Sequence, residues 1–129
     1  MKKYENFCAA LNNLKDIYKY SEPYNNVIIT GLVGLYSICF EQSWKLMKEI
    51  LENHGYESAA TGSPKFIIKT AYQASMIFDE SIWLAALQAR NNVSHSYNSE
   101  VALDIIRQTK KQFYNLFLEL KKNIDKNWI

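Results

Sequence analysis

The octapeptide Arg90-Asn91-Asn92-Val93-Ser94-His95-Ser96-Tyr97 collects most of the chemically capable side chains of the chain into one turn and its flanks. Arg90 carries a permanently charged planar fork that suits a phosphate or a carboxylate, and histidine is the side-chain type that gives and takes protons near neutrality. Asn91, Asn92, Ser94, Ser96 and Tyr97 add neutral donors and acceptors. The same residues admit a purely structural role. An arginine at a helix end pairs readily with a carboxylate, a histidine just beyond it can satisfy backbone carbonyls, and a tyrosine can simply pack its ring.

Helices must position this turn. Tyr4, Phe7, Leu11, Leu14 and Tyr18 recur every three or four residues and predict a first helix from about Lys3 to Tyr20, stopped by Ser21-Glu22-Pro23. A second, from about Asn25 to Asn53, is the spine. Ile28, Leu32, Leu35, Cys39, Leu46 and Ile50 form one apolar row on it, and Ile29, Val33, Tyr36, Phe40, Trp44, Met47 and Leu51 form another. So wide an apolar face implies burial on two sides, against the chain's own helices and in part against another subunit. Gly31 and Gly34 lower helix propensity, and close approach of a neighbouring backbone would explain them. Gly55 marks the stop, and Gly55 to Ser63 is a loop that either connects or acts as a flap.

Ser63 reads as a cap and Pro64 as the first residue of a third helix reaching about Phe78, with Ile67, Ile68, Ala71 and Phe78 facing inward. Asp79 caps a fourth helix, about Glu80 to Asn92, and the octapeptide leads from it into a fifth that begins near Ser99-Glu100 and carries Ile105, Phe113, Leu116, Leu120 and Ile124. The expected architecture is all-α: an antiparallel up-and-down four-helix bundle of five helices, one rod being split in two, forming one domain over residues 1–129.

Composition agrees. Gly and Pro number only 4 and 2, which disfavours a turn-rich β fold. A net charge of +2 is too small to argue for nucleic acid by itself, since an autonomous binder is expected to show a strongly basic face, so any RNA contact would be local to Arg90 and nearby lysines, or shared across an assembly. Cys8 and Cys39 lie in apolar helical patterns and read as small hydrophobes rather than a disulfide, and Cys8, Cys39, His54 and His95 lack the close spacing of zinc ligands. The start of the chain has no signal-peptide pattern, and no apolar run approaches the roughly 20 residues of a membrane span, so a reducing, cytoplasmic setting is expected. No cofactor is implied.

Arg90, four residues, His95, one residue, Tyr97, at the end of a helical pattern, resembles the signature of HEPN domains. Phe40-Glu41, Trp44-Lys45, Ser63-Pro64 and Trp83 extend the likeness over nearly the whole chain, toward the nucleotidyltransferase substrate-binding branch of that superfamily. The resemblance implies a helical module that works beside a minimal nucleotidyltransferase on a separate chain, as in toxin and antitoxin pairs. It further implies a metal-independent ribonuclease whose paired motifs form the catalytic centre. On this carry-over Arg90 binds the scissile phosphate and His95 is general acid or base. Asn91 would be an auxiliary contact, and Tyr97 either a phosphate contact or the acceptor of an AMP group that silences the site. One motif histidine per chain is too few for both proton transfers, which points to a homodimer. The sequence lacks a phosphate-binding glycine loop and paired transferase aspartates, so nucleotide transfer belongs to another chain.

Two other functional classes remain open at this point. One is a non-catalytic module that presents a nucleotide or acceptor to the partner; the other is a structural helical adaptor. Glu41 likewise has two readings. It could form an ordinary helix pair with Lys45, with Trp44 in the core, or reach Arg90 or His95 and orient it.

Overall fold

The computed structural model describes residues 1–129 and is entirely helical, with helix over 82% of the chain. Its elements are α1 (Lys2–Leu14), α2 (Asn26–Asn53), α3 (Pro64–Gln73), α4 (Glu80–Asn91), α5 (Ser99–Gln108) and α6 (Tyr114–Asn127). A π-helical turn, Thr109–Phe113, joins α5 to α6 so that the two form one rod. The expected bundle is therefore present, with α1, α2 and the α5–α6 rod as three members and the α3–α4 pair as the fourth.

Several helix ends follow from local chemistry. Asn25 caps α2 by accepting from Ile28 N at 2.9 Å, and Ser63 caps α3 by accepting from Phe66 N at 3.3 Å, with Pro64 first in the helix. Gly55, at φ +93°, closes α2. Its N–H donates to Glu52 O and that of Tyr56 donates to Leu51 O, which satisfies two end carbonyls.

Other ends depart from expectation. The first helix is α-helical only to Leu14 and continues as a 3-10 turn over Lys15–Lys19. The third stops at Gln73 rather than near Phe78, because Ser75 takes a left-handed φ of 62° and the N–H groups of Ser75 and Met76 return to Tyr72 O and Ala71 O. Asn123 Nδ2 holds this turn by donating to the carbonyls of Ser75 and Met76 at 3.0 and 2.7 Å. The chain then buries Met76 and Ile77 and turns Phe78 outward, 65% exposed, against the inward orientation expected. Asp79 provides no side-chain cap to α4; only its carbonyl accepts, from Trp83 N. The Gly55 to Ser63 segment holds a 3-10 turn, Glu57–Thr61, that buries Ala59 completely, so it is packed down rather than free as a flap.

One cluster of 31 buried apolar residues fills the bundle. At its centre the Tyr36 ring lies 5.3 Å from Phe113 and 6.2 Å from Phe117, and Trp83 lies 5.6 Å from Phe117 and 6.3 Å from Phe40, so aromatic contacts tie α2, α4 and α6 together. By length and composition alone α2 could cross a membrane, contrary to the expectation from sequence, yet nine of its residues are buried in this core. The other face of its N-terminal half is open: Val27 is 81% and Ile38 56% exposed.

Gly31 and Gly34 lie on or beside that open face. A Cβ built at either would meet nothing within 4 Å, so no backbone packs against them and the expected close approach is absent. The close approach is at Gly62, where a Cβ would sit 2.6 Å from Phe66 Cδ2 and 2.9 Å from Ile67 Cδ1. Urea unfolding is accordingly expected to show Gly31→Ala and Gly34→Ala each stabilising the fold by about 1 kcal/mol, and Gly62→Ala destabilising it.

Candidate functional site

Arg90 occupies the last turn of α4, and the chain continues through a 3-10 turn, Asn92–His95, to Asn98, whose side chain caps α5 by accepting from Glu100 N at 2.9 Å. Two bonds within the turn, Ser96 N to Val93 O and Asn98 N to His95 O, at 3.0 and 3.1 Å, fix its shape. Val93 packs against the core while His95 and Tyr97 point outward, Tyr97 with 88% of its surface exposed. The two rings meet edge to face with centroids 6.4 Å apart.

Arg90 is held from α2. Its Nε donates to Glu41 Oε1 at 2.5 Å, and its Nη1 donates to Asn91 Oδ1 at 3.2 Å. Glu41's other oxygen, Oε2, accepts from Trp44 Nε1 at 3.0 Å. Of the readings open for Glu41, the contact to Arg90 is the one that forms. It makes no ion pair with Lys45 or His95, and Trp44 is half-buried at the edge of the core rather than inside it. Both members of the Glu41–Arg90 pair retain about a quarter of their side-chain exposure, so the pair is partly desolvated while the Nη2 end of the guanidinium stays uncommitted. A planar cation oriented from behind in this way can offer its free edge to a phosphate oxygen.

A further strut was not foreseen. Tyr36, fully buried on α2, donates its hydroxyl to Ala86 O, one turn before Arg90 on α4. Burial pushes the phenol far above its ordinary range, so it stays a neutral donor. The sequence marks Tyr36 only as one member of an apolar row; nothing local distinguishes a tyrosine whose hydroxyl reaches another helix. Burial likewise raises the Cys39 thiol, which makes it a core filler and not a nucleophile, and both cysteines are free. His54 sits at the far end of α2, its Nδ1 2.8 Å from Ile50 O and its ring against Trp128, so it caps the helix end.

The structure thus brings Glu41, Arg90 and Asn91 together and places His95 and Tyr97 beside one another. No hydrogen bond joins the two groups. The five principal concavities of the chain include neither Arg90 nor His95 in their walls.

Residues 2–126 match the family described as nucleotidyltransferase substrate binding protein like. The chain belongs to that family. Among relatives, a Haemophilus influenzae protein named "Probable ribonuclease HepT" is 29% identical over 85 residues, which cover 64% of this chain and 58% of that protein. The chain therefore matches under two thirds of that relative's length. Two solved structures share the fold. One, from Thermus thermophilus, superposes with a TM-score of 0.78 at 22% identity, covering 92% of this chain and 98% of the other. The second is a Haemophilus influenzae protein described as having the fold of a substrate binding domain of a nucleotidyltransferase, with a TM-score of 0.79, 22% identity and coverage of 95% and 98%. Membership in the family bears out the resemblance to the nucleotidyltransferase substrate-binding branch.

Proposed function

We propose that this protein is the HEPN-type subunit of a two-component nucleotidyltransferase system, a homodimer in the cytoplasm that binds RNA phosphate between paired Arg90 and His95 motifs and cleaves RNA without a metal. The observation that carries the reading is the Glu41–Arg90–Asn91 arrangement, which orients the arginine with a carboxylate, while His95, five residues further along the chain, is exposed at the surface. Arg90 would neutralise charge on the phosphate, and His95 would take the proton of the 2′-hydroxyl or protonate the leaving 5′-oxygen, a second copy of His95 supplying the complementary transfer. A single copy presents these groups on an open surface outside the principal concavities, which favours completion of the site by a second copy.

Tyr97 supplies the means of control. Its exposed phenol could attack the α-phosphorus of ATP on the partner nucleotidyltransferase, forming the phenol–phosphorus bond, releasing pyrophosphate and losing its proton. The AMP anion added there would compete for Arg90 by charge and volume.

A second reading, a non-catalytic module that presents a nucleotide or acceptor substrate to the transferase, is favoured by one feature: Glu41 already neutralises Arg90, which weakens its pull on a scissile phosphate. Incubation of RNA with the purified chain in EDTA separates the two. Cleavage by wild type, lost in Arg90→Ala and in Arg90→Lys of verified helicity, is the expected result, since lysine keeps the charge but not the fork. Wild-type protein that is inert on varied RNAs yet binds nucleotide through Arg90 would establish the presenting module instead.

A further inference from the structure

Glu41 holds Arg90 with one oxygen and not with two. Arg90 Nε donates to Glu41 Oε1 at 2.5 Å, while Oε2, the oxygen that the neighbouring Nη2 would need, accepts from Trp44 Nε1 at 3.0 Å. The chain carries its own comparison. Arg90 and Arg107 are its only arginines, and each pairs with a glutamate remote in sequence. Arg107 takes both oxygens of Glu22, Oε2 through Nε at 3.0 Å and Oε1 through Nη2 at 2.5 Å, and no other side chain donates to Glu22. Such a two-point clasp is the arrangement an arginine and a carboxylate commonly adopt when nothing else claims the second oxygen.

The difference decides what Arg90 can still bind. Its Nη2 has no partner within the chain, and the only buried side-chain nitrogen or oxygen without a partner is Glu49 Oε2, so Nη2 reaches solvent. Nη1 uses one hydrogen on Asn91 Oδ1 and keeps another. A phosphate is held best by two parallel N–H donors of one fork, and the pair left here is Nη2 with the second hydrogen of Nη1. Closure of Glu41 on both Nε and Nη2, as Glu22 closes on Arg107, would occupy that edge. The indole stands in the way of such closure. Trp44 lies three residues after Glu41 on α2, one turn along the same face, and its ring packs against the core, so Nε1 is a fixed donor that retains Oε2.

We infer that Trp44 is a positioning residue, whose indole N–H confines Glu41 to a one-point hold on Arg90 and so keeps Nη2 free for a phosphate oxygen. Trp44 acts through Glu41 and touches no substrate itself. The consequence for RNA rests on the reading of Arg90 as a phosphate ligand, whereas the one-point hold is a property of the chain alone.

The test is NMR of the full chain with isotopically labelled arginine, together with its affinity for an uncleavable 2′-O-methyl oligonucleotide. Trp44→Phe keeps a ring in place and removes the N–H. It is expected to let Glu41 clasp Nε and Nη2 together, which slows rotation of the Arg90 guanidinium and separates Nη proton signals that are averaged in wild type; Arg107 serves as the unchanged reference. Oligonucleotide affinity should fall roughly tenfold, about the worth of one hydrogen bond to a charged group. In a Glu41→Gln background, which has no carboxylate to close on Arg90, the same substitution should change affinity by less than about twofold, the non-additivity expected of residues that act through one another. Replacing Trp44 by its benzothiophene isostere, which exchanges the N–H for sulfur at nearly constant shape, repeats the measurement free of any packing change. Nη signals of Arg90 already separated in wild type, signals that stay averaged in both variants, or an affinity loss undiminished by Glu41→Gln would each overturn the role of Trp44. A wild-type chain that binds no oligonucleotide would overturn the phosphate reading of Arg90 and the use of the free Nη2 with it, while the Arg90 signals would still decide the one-point hold.

Discussion

His95→Ala is expected to lower RNA cleavage by about 10²–10⁴-fold, the usual contribution of a positioned general acid or base, while leaving the unfolding transition where it is. The asymmetry follows from the position of the ring. His95 is exposed, none of its ring atoms enters a hydrogen bond, and the bond that matters to the turn is its backbone carbonyl accepting from Asn98 N, which alanine preserves. Truncation should therefore stay within the small stability change typical of surface positions, about 0.5 kcal/mol either way. RNA affinity should also persist, because the oriented guanidinium of Arg90 does not depend on the imidazole. Parallel measurement of cleavage rate, RNA affinity and urea midpoint checks all three. A variant that cleaves as well as wild type would remove the catalytic role of His95 and leave the presenting module as the account of the motif.

The motif was legible because its residues are adjacent in sequence, and the helices were legible because proline, glycine, asparagine and serine mark most of their ends. Failures cluster where the deciding partner is remote. The end of α3 is made by Ser75 in a conformation usually given to glycine and is held by Asn123, 48 residues away, so nothing near Gln73 announces it. Gly31 and Gly34 illustrate the converse. A glycine in a helix signals that a side chain is missing, but an open face and a close neighbour leave the same letter in the sequence. Glu41 could be named as a partner for the motif but not assigned, since its ordinary helical partner Lys45 competed on equal terms. Only the fold shows that one oxygen goes to Arg90 and the other to Trp44.

Trp83→Ala is expected to destabilise the fold by about 3–5 kcal/mol, the range for emptying a large aromatic site in a packed core. Trp83 is 1% exposed and lies against Phe40 of α2 and Phe117 of α6, so its removal opens a void where α2, α4 and α6 meet. Against the roughly 5–15 kcal/mol that stabilises a domain, that loss would leave a large part of the margin gone or the chain unfolded at body temperature. Phe78→Ala, five residues earlier in sequence but 65% exposed, should move the urea midpoint little, which makes it the control for aromatic removal as such. The consequence for the site is specific. Trp83 stands two turns before Arg90 on α4, and besides the buried Ala86 and Ala89 the polar contacts of α2 with that helix are the Tyr36 hydroxyl at Ala86 and the Glu41 carboxylate at Arg90. A void beneath α4 loosens both polar contacts without touching either. Trp83→Phe, which keeps an aromatic ring in the void, should therefore recover most of the stability, and with it the RNA affinity that depends on the aim of Arg90; recovery of stability without affinity would show that the guanidinium is aimed by something other than the packing of α4 on α2.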